Sequence, residues 1–308
     1  MSVFTPIDRE ELLPWLLAHG IEDLRDFRGI SGGTINTNYW LETTSGDWIL
    51  TLVEDRPAAA VQPVMSLMQS LYQAGLPVPG VRVDQQGRLV GMLKDRPATL
   101  VQALPGDHPE PTQSTAAEVG RFLARLHSQT LDLDPLPLNF GPDWQREQAQ
   151  YWQDRLALDD AELVRRTIQS TRLVWQRRWP EAWLHADLFP DNVLALDGQF
   201  TAVIDWYFAS CGPRIWDIAI ALNAWCGGAQ PDTDPVAAAL LHGYESITAL
   251  SATEVQALPL MRRSAALRFW LSRLESARNS DKNETLEAVT VKPPVEYRNL
   301  LLTLEQSH

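Results

Sequence analysis

Over the first hundred residues short runs of β-branched and aromatic side chains alternate with polar ones, and longer stretches with helical spacing follow. Thr5-Pro6-Ile7-Asp8 supplies a cap, a proline at the first helical position and an acid in the first turn, with Gly20 as a stop, which predicts a helix over 6–19. Strand patterns follow at 25–30, 38–44 and 48–54, the last two joined through Ser45-Gly46-Asp47 as a hairpin. Val64, Leu67, Met68 and Leu71 recur at i, i+3, i+4 and i+7 and predict a helix bracketed by Pro63 and Gly75, its apolar face turned to a core. Strand runs at 81–83, 89–93 and 98–104 bring the runs to six, from which a five-stranded antiparallel sheet is expected, with Gln102 to Gly106 as a hinge.

Beyond the hinge the spacing turns helical. Thr115-Ala-Ala-Glu118 reads as a capping box ahead of Val119, Phe122, Leu123 and Leu126, and residues 143–178 are long helical text of mixed polarity. Helices are expected at 235–250 and 252–278, the second opened by a Ser251/Glu254 box and broken at Pro259. Between these blocks lie Ala182-Trp183-Leu184, Val193–Leu196 and Phe200–Ile204, short strands of which the last two flank the turn Asp197-Gly198-Gln199. Asn279 to Glu287 is polar and reads as an exposed connection; no repeat or low-complexity tract interrupts the chain.

With 308 residues, 45% of them hydrophobic, and 12 tryptophans, the chain can bury a sizeable core and is long enough for two lobes. No run approaches the ~18 apolar residues of a membrane span. The start lacks a basic segment followed by an apolar one, so a cytoplasmic protein is expected. Cys211 and Cys226 make neither a disulfide framework nor a metal cluster. A net charge of −13 disfavours nucleic acid and anionic membrane surfaces. It suits a cationic small-molecule acceptor and is neutral towards a zwitterionic one.

The string that carries chemistry is His185-Ala-Asp187-Leu-Phe-Pro-Asp-Asn192, followed thirteen residues later by Asp205 in Val203-Ile-Asp-Trp206. Phosphoryl transfer needs an aligned acceptor oxygen and neutralised phosphate charge rather than much covalent chemistry. Asp187 can orient and deprotonate a hydroxyl, while Asn192 and Asp205 offer the hard oxygen ligands that magnesium on a nucleotide triphosphate prefers. His185 reads as a structural pin for the loop. Asp and Asn also favour turns, so the string alone leaves that alternative open; Asp205 at the end of the following hairpin narrows it. Asp217 either complements the dipole of the helix it opens or braces the catalytic loop. Ser31-Gly32-Gly33-Thr34 lets the backbone fold closely, as an ordinary turn or over phosphates.

These residues, with Ile204-Asp-Trp-Tyr-Phe and Asp217-Ile-Ala, resemble the aminoglycoside-phosphotransferase and choline-kinase branch of the protein-kinase-like fold. Within that branch the chain looks most like the bacterial homoserine kinases. Phe27–Ile30 with Asn36-Thr-Asn38, Ile49–Glu54, Leu222–Cys226, Ala266–Arg273 and Val291–Tyr297 carry that narrower likeness. The resemblance implies an α+β, two-lobed fold, a small antiparallel-sheet lobe over 1–104 that clamps nucleotide and a larger helical lobe over 105–308 that holds the catalytic and acceptor groups. It implies ATP and Mg2+ as cofactors, L-homoserine as acceptor and threonine biosynthesis as the setting. Gly32 and Gly33 would lie over the phosphates, and Gln102 and Ala103 would meet adenine.

Arg268, with Arg273 as second choice, would pair the acceptor carboxylate, helped by Asn223 and Tyr207. His185 and Asp217 would support the loop. One departure stands out: the third strand carries Thr51 where kinases place a phosphate-binding lysine, and the helix from Ala58 to Gln73 has no glutamate to pair one. Homoserine kinases of this type share that substitution. The alternatives are a kinase of the same fold acting on an aminoglycoside, choline, ethanolamine or a fructosamine, or a non-catalytic nucleotide-binding scaffold suggested by Thr51.

Overall fold

The computed structural model of the chain describes residues 5–30, 36–228, 230, 232–282 and 292–306, and it is an α+β fold with a five-stranded antiparallel sheet preceding a mainly helical part. The strands stand in the order β1 (Leu24–Gly29), β2 (Thr37–Thr43), β3 (Trp48–Leu52), β5 (Arg96–Gln102), β4 (Gly91–Leu93). In β2 every second residue, Thr37, Tyr39, Leu41 and Thr43, is buried, the period of a strand with one face in a core. Leu12 and Leu16 of α1 (Arg9–Ala18) join Leu41, Leu50, Leu52 and Leu100 in one apolar cluster. Burying each leucine contributes about 1.5–3 kcal/mol.

Several boundaries differ from expectation. α1 starts at Arg9, because Asp8 is its cap: the Asp8 carboxylate accepts the Glu11 N–H at 2.9 Å and Glu11 accepts that of Asp8 at 3.1 Å. Val81 makes only an isolated bridge to Val101, so 81–83 is not a strand, and the other five of the six expected runs make the sheet. α2 (Ala58–Gln73) runs through Pro63, and α8 (Ala252–Lys282) through Pro259. Ala59 and Val255, whose carbonyls lose the i+4 N–H partner to these prolines, are exposed, so the lost bond leaves no buried polar group. Residues 279–282 are therefore helical, and the rest of the expected 279–287 connection lies outside the described residues.

The helical part contains α3 (Gln113–His127), α4 (Pro142–Trp152), α5 (Leu158–Trp175), α6 (Arg214–Cys226), α7 (Pro235–Glu245), α8 and α9 (Pro294–Gln306). α3 is capped three residues earlier than expected, by Thr112 and Thr115 in a reciprocal box, while Glu118 pairs with Arg121. Ser251 and Glu254 do form the box ahead of α8. Two glycines set the spacing of α3 and α7: a Cβ on Gly120 would lie 2.0 Å from the Leu240 carbonyl oxygen, and one on Gly243 2.1 Å from that of Ala117. The apolar face of α2, including Val64, Leu67, Met68 and Leu71, packs into the same core as Val119, Leu123, Ile218 and Leu222. Among the described residues no helix is long and apolar enough to cross a membrane.

Two small ribbons frame the motif. β6 (Glu181–Leu184) pairs with β9 (Ser210–Pro213), and β7 (Val193–Leu196) with β8 (Gln199–Val203). Asp197 and Gly198, with φ of 51° and 75°, make the two-residue turn whose twist suits such a hairpin. Asp107, just past the hinge, exchanges two hydrogen bonds of 2.9 Å with Ala195 of β7.

Candidate active site

The loop between β6 and β7 is held from beneath. Asp217, fully buried in the first turn of α6, accepts the backbone N–H groups of His185 and Ala186, both at 2.8 Å, and lies 3.3 Å from His127 Nε2. Burial alone would raise its pKa; His127 and the His185 N–H outweigh that and hold it below the usual carboxylate range. Ala186 stands at φ 61°, a conformation rare for a residue with a side chain. Its peptide is fixed on both sides, since its carbonyl accepts Arg268 Nη1 at 2.7 Å. Such strain persists where surroundings over-determine it.

His185 is buried, and the Asp187 N–H donates to its Nδ1 at 3.2 Å, which assigns its proton to Nε2, 3.0 Å from the Ile204 carbonyl. Burial pushes its pKa down, so the ring is a neutral strut between the loop and the strand that leads to Asp205. It meets Trp206 edge-on at 4.7 Å.

Three of the motif's side chains converge. Asn192 closes a short 3-10 turn, and its Nδ2 donates to the Asp187 carbonyl at 2.7 Å and to Asp187 Oδ2 at 3.0 Å. The Ile204 N–H donates to the Asn192 carbonyl at 2.9 Å, which brings the next residue, Asp205, beside the pair. Asp205 is exposed and adopts φ 61°. Asp187 is half-buried, and burial pushes its carboxyl up to about 7; Arg268 opposes the shift and Asp205 and Asp191 add to it.

Among the described residues no set of three His, Cys, Asp or Glu side chains is arranged to hold a metal. The donor set fits a cation shared with phosphates, since such ions take one or two carboxylates and fill the remaining positions from substrate and water. Asn192 contributes to this fit, because its donor end is used on Asp187 and its carbonyl oxygen is the end left for a cation.

Arg268, in α8, is 2% exposed, and its Nη1 lies 3.8 Å from Asp187 Oδ1. Its guanidinium sits 4.0 Å from the Phe269 ring centroid, 4.8 Å from that of Phe140 and 5.4 Å from that of Phe208. Its Nε has no hydrogen-bond partner among the described residues. Arg273 is turned to Glu296 and the Pro293 carbonyl instead. Sequence reasoning gave no role to Lys292, which pairs with Asp191 and lies 5.1 Å over Phe189 in the loop between β6 and β7. The string 291–297 was its only signal.

The remaining candidates are placed otherwise. Asn223 is buried with both ends of its amide on Arg262, Nδ2 donating to the carbonyl at 2.7 Å and Oδ1 accepting from Nε at 2.9 Å. It is a strut between α6 and α8, not a free group for an acceptor. The Tyr207 hydroxyl is bound to Thr99 of β5 at 3.0 Å, so this side chain faces the sheet rather than an acceptor beside Arg268. At the hinge the Gln102 N–H donates to the Gly80 carbonyl and the Ala103 N–H to that of Asp47, both at 3.0 Å, which leaves carbonyls rather than these amides for a ligand. Gly32 and Gly33 lie outside the described residues.

The model of the phosphotransferase enzyme family matches residues 26–267. A homoserine kinase of Methylobacillus flagellatus is 35% identical over 98% of this chain and 94% of its own, and one of Sinorhizobium medicae is 40% identical over 89% and 86%. Among solved structures, an amicoumacin kinase in complex with AMP-PNP and Ca2+ superposes with a TM-score of 0.70 at 14% identity, covering 97% of this chain and 93% of that one. A spectinomycin phosphotransferase in complex with ADP and spectinomycin gives 0.66 at 17%, covering 98% and 100%. Those two likenesses speak for the fold, and the closer relatives speak for the branch. The chain belongs to the phosphotransferase enzyme family and, within it, to the homoserine kinases.

Proposed function

We propose that this chain transfers the γ-phosphoryl group of ATP to the side-chain hydroxyl of L-homoserine, giving O-phospho-L-homoserine and ADP, the step that serves threonine biosynthesis. The carrying observation is the likeness to homoserine kinases along nearly the whole chain, together with the union of Asp187, Asn192 and Asp205 at one place. Residues 1–104 clamp the nucleotide and 105–308 carry the catalytic and acceptor groups. Asp187 takes the hydroxyl proton, its carboxylate held by the Asn192 amide and by Arg268. Asn192 and Asp205 would hold Mg2+, which when bound neutralises phosphate charge. Gly32, Gly33, Gln102 and Ala103 are the proposed nucleotide contacts.

An amino-acid acceptor brings a carboxylate, and among the described residues Lys292, on the rim above Phe189, is the accessible cation near Asp187 to meet it, while Arg268 is buried beneath and acts through Asp187. His185 and Asp217 hold the loop backbone on which all of this rests. ADP release measured with homoserine, threonine, choline, fructosamines and aminoglycosides tests the acceptor. Homoserine is expected to give the highest kcat/KM; a higher value for any other acceptor overturns the assignment.

A further inference from the structure

We propose that Arg56 is the cation that meets the nucleotide phosphates in this chain, in place of the strand lysine that position 51 lacks. This rests on the chain being a kinase, and it assigns one further residue of the nucleotide site. The place where a lysine would leave β3 is filled by neutral hydroxyls. Thr51 is buried and donates from Oγ1 to Asn38 Oδ1 at 2.7 Å; its neighbour across the sheet, Thr99, holds the Tyr207 hydroxyl at 3.0 Å. With the Tyr207 hydroxyl held against the sheet, α2 carries no acid to pair an ammonium group at this position.

The missing charge reappears five residues along the chain. Arg56, in the turn between β3 and α2, reaches across to a segment 151 residues away and donates from Nη1 to the Tyr207 carbonyl at 2.8 Å. That carbonyl lies two residues past Asp205, and Asp205 acts on the Arg56 charge. The neighbouring Asp55 receives Nε at 2.9 Å and Nη2 at 3.0 Å, which fixes the plane of the guanidinium. Three of its five N–H donors are thereby engaged and two remain. The side chain is 23% exposed, unlike Arg268, so a phosphate can reach it. A planar fork beside a metal-binding aspartate suits phosphate oxygens. Among the described residues Lys292 is another cation near Asp205, but it stands on the loop side, against Asp191 and Phe189.

The test compares ATP, supplied with a divalent cation, and adenosine as probes of the full chain. Arg56→Gln is expected to weaken ATP binding by at least about tenfold, the usual worth of a charged hydrogen bond. Adenosine affinity, the KM for homoserine and the thermal midpoint should stay near wild type, Arg56→Lys should recover part of the loss, and Lys292→Gln should spare ATP affinity. Unchanged ATP affinity in Arg56→Gln, an equal loss for adenosine, or a collapse of the thermal midpoint overturns the assignment, as does a selective ATP loss in Lys292→Gln alone. If wild type fails to turn over homoserine while Arg56→Gln still loses ATP selectively, the acceptor reading falls and Arg56 keeps its role.

Discussion

The underside and the open side of the catalytic loop are both built on carboxylates, yet the two are furnished differently. Beneath, Asp217 receives two backbone N–H groups and faces His127, and its pKa is held down. Above, Asp187 receives one carboxamide and an arginine at 3.8 Å, and its pKa is pushed up to about 7. A carboxylate whose lone pairs are consumed by the protein fixes the backbone. One left short of partners is available to a substrate or a cation, and desolvation raises its pKa until that ligand comes.

The sharpest way to break this contrast is Asp187→Asn. Turnover should fall by at least about a hundredfold, the usual worth of a positioned base, with the thermal midpoint and ATP affinity nearly unchanged. Near-normal turnover moves the base elsewhere. Asp205→Asn should cost about as much in rate, and its signature lies in a divalent-cation titration, where half-maximal activity needs more metal than in wild type. An unaltered titration curve removes Asp205 from the cation site.

Asp217→Asn addresses the underside. It leaves buried donors mispaired and should lower stability by about 2–4 kcal/mol, read as an earlier urea midpoint at unchanged slope. Unfolding identical to wild type would mean that the loop is held by something else. The smallest effect is expected from Gly243→Ala, where a methyl group meets the Ala117 carbonyl of the facing helix and about 1–3 kcal/mol is lost to overpacking. Below its new melting point this variant should keep the wild-type kcat, which separates lost stability from lost chemistry.

What the sequence disclosed divides along the same line. The convergence of Asp187, Asn192 and Asp205 was legible because a turn and a two-residue hairpin bring them together over a short span, and local geometry follows local sequence. Asp217 was given to the support of the loop by the resemblance alone, since bracing a loop 31 or 32 residues earlier is a tertiary fact that spacing does not show. Arg268 was read as open to the acceptor, and the structure buries it among three phenylalanines whose nearness no spacing announces. Asn223 misled for the same reason, its partner Arg262 lying 39 residues on. Helix ends missed by a few residues wherever two cap sequences overlapped, as at Thr112 and Thr115, or where a proline sat on an exposed turn.

The packing of α2 carries a lesson for protein engineering. Its apolar face belongs to the core of the helical body, so a cut after residue 104 would divide the proposed roles without dividing the interior. A chimaera that joined the first 104 residues of one homoserine kinase to the remainder of another would set unmatched side chains against each other along this seam. Grafts that exchange α2 and the α3 and α6 surfaces together keep the interior matched, and the catalytic loop then rests on the body it was shaped for.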